Sequence, residues 1–206
     1  MSKMRSIRQV TDNTHLNFFE MEVEDRKGHV FPYYMASRAK DAAGLKMNAS
    51  GPDRPDGVVM FGLYGEKRDR VVLVRQYRYP LGGYIYEFPA GLVEAGEDLH
   101  QAAVREMKEE TGLEFSIEKP DPMYEKPFYT TIGMTDECCS MVFGQAHGRV
   151  SREGLEDSEE LEVVLADRNE VRRILKEERV SLMCAYMLMF FLADEENPFS
   201  FLKENQ

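Results

Sequence analysis

The sequence of 206 residues lacks a long apolar run, and its first residues are not apolar. Its most apolar stretch, LMCAYMLMFFLA, is about a dozen residues long, whereas a helix that spans a membrane needs about 20. The first residues, MSKMRSIRQV, have no apolar core of the kind found in signal peptides. We therefore expect no membrane partner, and we interpret the apolar stretch as a buried helix with Ser181 as its N-cap.

An excess of positive charge is also missing. The chain has 37 acidic and 26 basic residues, which gives a formal net charge of -11. This balance disfavours non-specific attraction to a nucleic-acid backbone or to an anionic membrane surface. We expect no nucleic-acid partner, and a chain of this charge that handles phosphates needs cations at its site.

Cysteines are few, and their spacing excludes the common cysteine frameworks. Cys138 and Cys139 are adjacent and poorly placed for an ordinary disulfide, and Cys184 lies far along the chain. No pair has the spacing of a metal site. We expect three partly buried, reduced thiols and a cytoplasmic location.

The first part of the chain predicts a small β-structure. The runs LNFFEMEVE and HVFPYYMAS, joined by DRKG, indicate a β-hairpin within residues 16–37. Residues 41–57 are rich in Gly, Pro, Asp and Asn, as is typical of a linker. We predict an N-terminal β appendage over residues 1–50 and a main domain over residues 51–206.

The main domain alternates strands with helices and contains no repeats. Strands are predicted at residues 57–65, 70–80, 82–91, 138–150 and 160–166. Helices are predicted at about residues 97–111, 167–178 and 181–193, the first ended by Gly112. The expected fold class is α/β, an αβα sandwich with a mixed sheet.

A spaced set of charged residues and glycines surrounds the first helix, in GLVEAGEDLHQAAVREMKEETGL. The set consists of Gly91, Glu97, Arg105, Glu106, Met107, Glu109, Glu110, Gly112 and Leu113. Average residue frequencies give nine such positions a chance of roughly 10⁻⁹ per starting point. The spacing matches the Nudix box, Gly-x5-Glu-x7-Arg-Glu-U-x-Glu-Glu-x-Gly-U with U apolar, so the chain resembles the Nudix hydrolases.

The spacing also has a physical reading of its own. Glu106, Glu109 and Glu110 share one side of a helix and repel each other, while Met107 lies on the packing side. Carboxylates that converge in this way suit a hard divalent cation such as Mg²⁺, which binds between carboxylates and phosphates. The cation would relieve the repulsion, neutralise a diphosphate and make a bound water more acidic.

The resemblance implies Mg²⁺ as the cofactor, with Mn²⁺ as a substitute. The implied metal ligands are Glu106, Glu109, Glu110 and the backbone carbonyl of Ala90. Glu97 and Arg105 match the internal ion pair that braces the loop against the helix, and Gly91 permits the tight loop. Family members differ in which carboxylate acts as the base, so Glu109 stays a catalytic candidate as well as a ligand.

The segments VRQYRYP and YEFPAG before the box resemble the ADP-ribose pyrophosphatase group, which hydrolyses ADP-ribose and other nucleoside diphosphate sugars. Arg75 and Arg78 could clamp a substrate phosphate, or they are ordinary surface arginines. Glu87 matches a position that contacts metal or substrate in this group.

A loop after the box, typically Ser-Pro-Gly followed by an acidic Ser-Glu pair, carries the catalytic base in this group. The matching stretch here is TTIGMTDE, in which Glu137 matches the base and Asp136 is the second candidate. The alternative is that Glu137 is a solvent-facing residue at the start of a strand. Ile132 stands in place of the proline, which leaves the specificity for ADP-ribose open.

We therefore expect a Mg²⁺-dependent enzyme that cleaves ADP-ribose to AMP and ribose 5-phosphate. The alternatives are another nucleotide sugar such as GDP-mannose, a dinucleotide, or a non-catalytic sensor of such ligands. Dimers of the group complete the substrate pocket with N-terminal strands, so a homodimer is expected. Four aromatic residues of these strands could stack on a base or belong to core or interface: Phe18, Phe19, Tyr33 and Tyr34.

Overall fold

The computed structural model describes residues 3–155 and 160–202. Its strands are β1 (Lys3–Gln9), β2 (Asn17–Glu24), β3 (Val30–Ser37), β4 (Gly57–Tyr64), β5 (Arg70–Arg78), β6 (Gly83–Glu87), β7 (Ala90–Leu92), β8 (Glu114–Ile117), β9 (Phe128–Tyr129), β10 (Cys138–His147) and β11 (Leu161–Ala166). Its α-helices are α1 (Leu99–Thr111), α2 (Arg168–Glu177) and α3 (Leu182–Ala193). The predicted α/β class is confirmed.

The chain forms two compact units, each of which is built from two segments. The first consists of Met1–Asp56 and Pro127–Cys139, and the second of Gly57–Lys126 and Ser140–Gln206. The prediction that residues 1–50 act as an appendage to a main domain over residues 51–206 stays a prediction.

The first unit contains an antiparallel sheet in the order β1-β2-β3. The predicted hairpin is confirmed as β2 and β3. Asp25 holds its turn, since the carboxylate accepts the backbone N–H groups of Lys27 and His29 at 2.7 and 2.9 Å. β1 was not predicted, because its mostly exposed sequence KMRSIRQ lacks an apolar alternation.

Alternation along β2 gives the first unit its own small core. Phe19 and Met21 point inward and pack with Met35 and Leu45. Phe18 points outward, and its ring stacks on that of Tyr34 with the centroids 5.7 Å apart. Of the aromatic residues considered for base stacking, Phe19 therefore belongs to the core.

The second unit is built on a mixed sheet in which β11, β5, β4, β10 and β8 follow one another. β6 pairs with β5, and β7 pairs with β4. Seven of the eight residues of β4 are buried, as expected for an apolar strand in the middle of a sheet. Four of the five predicted strands are present, but the strand predicted over residues 82–91 is two strands, β6 and β7, which pair with different neighbours. β8 and β9 were missed because they are only 4 and 2 residues long.

Helix α1 packs on this sheet through the side that the sequence predicts. Met107 is fully buried in a cluster with Val58, Phe115 and Val142. Asp98 caps the first turn by accepting the backbone N–H of His100 at 2.9 Å, so the helix begins at residue 99. Gly112 ends the helix with φ of 75°, which confirms the predicted cap.

Helix α3 corrects one prediction, because it is buried on one side only. Its buried residues are Cys184, Leu188 and Phe191. Leu182, Tyr186, Met189 and Phe190 are each half exposed or more. Ser181 is the N-cap residue, but its side chain makes no capping hydrogen bond. Among the described residues, no helix is both long and apolar enough to cross a membrane.

The three cysteines are free thiols, as predicted. Cys138 and Cys184 are buried, and Cys139 is half-buried. Burial raises the pKa of Cys139 to about 11 and also raises the pKa values of the other two thiols. All three therefore stay protonated at neutral pH.

Candidate active site

The loop between β7 and α1 is tied to the helix by Arg105. The guanidinium Nε and Nη2 donate to the two carboxylate oxygens of Glu97, each at 2.9 Å, and Nη2 also donates to the carbonyl of Leu92 at 3.1 Å. The hydrogen bonds from Arg105, followed by the backbone N–H of Glu94, lower the pKa of Glu97 to about 2. The ion pair that the resemblance to the Nudix box implies is present.

The same guanidinium also bridges two carboxylates of the helix. Nη1 of Arg105 donates to Glu106 at 2.8 Å and to Glu109 at 2.9 Å. The pKa of Arg105 is raised, first by Glu97 and then by these two residues. Arg105 therefore offsets part of the repulsion among the carboxylates that the helical spacing predicts.

Glu106 fits beside the loop because residue 91 is a glycine. A Cβ atom at Gly91 would lie 1.9 Å from Cδ of Glu106, which is far inside contact distance. The Glu106 side chain is only 14% exposed, so it has little room to move aside. Gly91 thus lets the backbone of β7 lie directly against the carboxylate.

Glu110, one turn further along, contacts the same strand. It is 4% exposed, and its Oε2 accepts the backbone N–H of Ala90 at 3.0 Å. The neighbouring Pro89 carbonyl accepts the N–H of Met60, in β4. The N–H of Ala90 therefore points towards α1, whereas the preceding residue, Pro89, makes the hydrogen bond to β4.

These residues fit a divalent cation by their chemistry. Within the two described ranges, no group of three or more His, Cys, Asp or Glu side chains is arranged to hold a metal ion. Glu106 and Glu109 instead contact Arg105, and Glu110 contacts Ala90. All the atoms that could bind the metal are oxygens, as a hard cation requires. The carboxylates also outnumber the single guanidinium, so the cluster keeps a negative charge.

The residues predicted to contact substrate in the second unit have partners within the protein. Nε of Arg78 donates to Glu87 at 2.6 Å. The guanidinium of Arg75 lies over the ring of Tyr84, 4.1 Å from its centroid. All four residues lie on the paired strands β5 and β6. Their predicted contacts with metal or substrate stay predictions.

Glu137 lies in the first unit and is held by two residues that the sequence did not identify. Arg38 donates to Oε1 of Glu137 through Nε at 3.1 Å and through Nη2 at 3.0 Å, and the Thr130 hydroxyl lies 3.1 Å from Oε2. Arg38 is 99 positions away in the chain, so no local pattern links the two. Asp136, the second candidate base, accepts the backbone N–H of Lys46 at 3.2 Å.

Ile132, the residue in place of the expected proline, is 65% exposed. It lines a cavity of about 270 Å³ in the first unit. Other residues that line the cavity are Met21, Tyr33, Met35, Met47 and Tyr129. The structure thus brings the predicted box residues together in the second unit, whereas Glu137 and Ile132 belong to the first.

A family model described as the NUDIX domain matches residues 53–185. "Putative nudix hydrolase 2" of Caenorhabditis elegans is 36% identical over 104 residues, which are 48% of this chain and 45% of that protein. "ADP-ribose pyrophosphatase" of Saccharomyces cerevisiae is 36% identical over 99 residues, 47% of this chain and 43% of that protein. The chain thus spans less than half the length of these relatives.

The chain is also similar to a mouse protein and to a solved structure. "ADP-sugar pyrophosphatase" of Mus musculus is 48% identical over 52 residues, which are 25% of this chain and 24% of that protein. A crystal structure described as an ADP compounds hydrolase superposes with a TM-score of 0.61 at 17% identity, covering 85% of this chain and 83% of that chain. At this identity, the superposition shows a shared fold.

Proposed function

Because the chain belongs to the Nudix family, we propose that it is a Mg²⁺-dependent pyrophosphohydrolase of nucleoside diphosphate sugars. The first substrate proposed is ADP-ribose, and the products are AMP and ribose 5-phosphate. The observation that carries the proposal is the cluster in which Arg105 bridges Glu97, Glu106 and Glu109 beside the buried Glu110.

The reaction is a hydrolysis of the diphosphate. The oxygen of a water molecule forms a bond to one phosphorus, the bond from that phosphorus to the bridging oxygen breaks, and the bridging oxygen leaves with the other phosphate. When bound, Mg²⁺ neutralises the charge of the diphosphate and makes water more acidic. Glu106, Glu109, Glu110 and the Ala90 carbonyl would hold it, while Glu97 and Arg105 keep the loop and helix in register.

A carboxylate must take the proton from the attacking water. Glu137 is the proposed base, and Glu109 and Asp136 are the alternatives. Arg38 and Thr130 fix the orientation of the Glu137 carboxylate, which favours a single direction of proton transfer. This role rests on the match to the loop of the ADP-ribose pyrophosphatase group.

The proposed substrate class rests on two observations. The segments before the box match the ADP-ribose pyrophosphatase group, and the yeast and mouse relatives are named for ADP-ribose and ADP-sugars. Arg75, Arg78 and Glu87 are the proposed substrate contacts. Arg78 would exchange Glu87 for a phosphate, since a guanidinium binds either group through the same pair of donors.

A substrate panel tests the function directly. The purified protein is incubated with Mg²⁺ and ADP-ribose, GDP-mannose, UDP-glucose or a diadenosine polyphosphate. Phosphomonoesters are then measured by the phosphate that alkaline phosphatase releases. We expect the highest kcat/KM for ADP-ribose. Binding of ADP-ribose without hydrolysis of any compound would instead indicate a ligand sensor.

A homodimer formed through the first unit is part of the proposal. Strand β3 lies at the edge of its sheet, where Ala36 is hydrogen-bonded to Met134 but residues 30–34 expose four large apolar side chains, each between 38% and 48% exposed. They are Val30, Phe31, Tyr33 and Tyr34. An apolar edge strand of this kind is a ready site for pairing with another chain, and dimers of the resembling group use these strands.

A further inference from the structure

The last turn of α1, which carries Glu109 and Glu110, is held from outside by the loop that follows β10. The backbone N–H of Ser151 donates to the carbonyl of Thr111 at 3.0 Å. A Cβ atom at Gly112 would lie 2.5 Å from the nitrogen of Ser151, so the two backbones are in direct contact. Residues 148–155, here called the docking loop, therefore close over the end of the helix.

Gly154 extends this contact to the backbone of Glu109. A Cβ atom at position 154 would lie 2.8 Å from the carbonyl oxygen of Glu109 and 2.9 Å from its Cα. The φ angle of Gly154 is outside the left-handed region, so an alanine at this position meets no conformational obstacle. The glycine is needed for the approach of the two backbones.

Among the three acidic residues of α1, Glu109 has the most exposed side chain. Its side chain is 49% exposed, and its carboxylate shares Nη1 of Arg105 with Glu106. The final turn of a helix frays readily, since its carbonyls have no partners within the helix. Contact with the docking loop restricts that fraying at the residues that carry the acidic side chains.

We propose that Gly154 is a positioning residue for Glu109, through which the docking loop raises the affinity of the acidic cluster for a divalent cation. This inference rests on the proposed function, because it assumes that Glu106, Glu109 and Glu110 bind the metal. Gly154 acts only through the backbone of Glu109.

The test is a calorimetric titration with Mn²⁺ alone, on the wild type, Gly154→Ala and a matched control. Gly44→Ala is the control, because a Cβ at Gly44 would lie 3.5 Å or more from Ala39 and Asp41, which is ordinary contact, and Gly44 has no part in the proposed site. We expect Gly154→Ala to bind Mn²⁺ about tenfold more weakly, the smallest loss typical of disturbed support around a metal site. Gly44→Ala should bind like the wild type. Circular dichroism and thermal melting verify the fold of each variant.

A folded Gly154→Ala protein with wild-type Mn²⁺ affinity would overturn the proposal while leaving the proposed enzyme intact. A purely structural role for Gly154 would lower the melting temperature without changing the Mn²⁺ affinity. Absence of Mn²⁺ binding in the wild type would remove the metal site itself, and this inference with it.

A measurement on the wild type covers the case in which Gly154→Ala does not fold. If docking of the loop favours metal binding, metal binding must favour docking to the same extent. Mg²⁺ should therefore slow hydrogen exchange at the Ser151 amide, which donates to Thr111. Exchange at Ser151 that is unchanged by saturating Mg²⁺ would contradict the coupling.

Discussion

The Glu106 carboxylate occupies the space in which a side chain at position 91 would have to lie. A Cβ atom on Gly91 would lie 1.9 Å from Cδ and 2.1 Å from Oε1 of Glu106. Strand β7 therefore sets the position of Glu106, and Arg105 links Glu106 to Glu109. Loop and helix approach so closely only because residue 91 has no side chain.

Replacement of Gly91 by alanine should displace Glu106 from β7 and from Arg105. Overpacking of this kind costs about 1–3 kcal/mol of the free energy of unfolding. We expect a lower melting temperature together with a fall in kcat of about 100-fold, because a proposed metal ligand is moved. Gly44→Ala serves as the control, because a Cβ there makes only ordinary contacts. Turnover like that of the wild type in Gly91→Ala would show that the loop moves without disturbing the site.

Replacement of Glu110 by glutamine should abolish most turnover and preserve the fold. The amide oxygen can still accept the N–H of Ala90, but the negative charge at the proposed metal site is gone. We expect kcat to fall by about 100-fold or more, since a metal supplies several kcal/mol of transition-state stabilisation. Glu114→Gln, at an exposed carboxylate of β8, is the matched control. A Glu110→Gln protein as active as the wild type would contradict the proposed function.

The ion pair between Glu97 and Arg105 should make the free energy of unfolding depend on pH in the acidic range. The pKa of Glu97 is lowered from 4.5 to about 2, so its contribution to stability is fully present above pH 4.5 and is lost as pH falls towards 2. Glu97→Gln should lack this contribution at every pH. Urea unfolding between these pH values measures the free energy of unfolding of the wild type and of Glu97→Gln. The difference between the two free energies should shrink as pH falls. A difference that is constant with pH would mean that the carboxyl group has no lowered pKa.

Glu137→Gln tests the proposed base. The amide can still accept a hydrogen bond from Arg38 but cannot take a proton from water, so kcat should fall by about 100-fold or more with little change in melting temperature. Asp136→Asn is the comparison, because Asp136 is the second candidate. Wild-type kcat with a lowered melting temperature in Glu137→Gln would assign the Arg38 ion pair a purely structural role.

The apolar edge of β3 should support the proposed homodimer. Phe31 is 45% exposed there, and Phe31→Glu places a charge on a surface that we expect to be covered. Sedimentation velocity should show a dimer for the wild type and a shift towards monomer for the variant. Met123→Glu changes a residue of similar exposure, 52%, in the second unit and should leave the dimer unchanged. A monomeric wild type would contradict the proposal.

The sequence predicted the acidic helix well because its signals are local. The cap at Gly112 and the packing side at Met107 follow from the helical pattern of one short segment. The pair of Glu97 with Arg105 follows from the match of the same segment to the Nudix box. The sequence did not show that Arg105 also bridges Glu106 and Glu109, because rotamers decide which carboxylates a guanidinium reaches.

Three other features could not be predicted from the periodicity of the sequence. The partners Arg38 and Glu137 come from segments 99 positions apart. An almost wholly apolar α3 contains no polar side to show which residues face solvent, so Leu182 and Tyr186 could not be separated from Cys184. The contact of Gly154 with Glu109 depends on the path of a loop, for which glycine alone is no signal.

The division of the first unit between two chain segments also affects the order of its assembly. During synthesis, β1, β2 and β3 leave the ribosome well before residues 127–139, which supply the carbonyl groups bonded to Ala36 and Tyr33. Pairing between such distant segments is slow, because a long loop must close first. A nascent chain that ends at residue 56 holds the hairpin without these partners, so the N-terminal part of this protein begins its folding early and finishes it late.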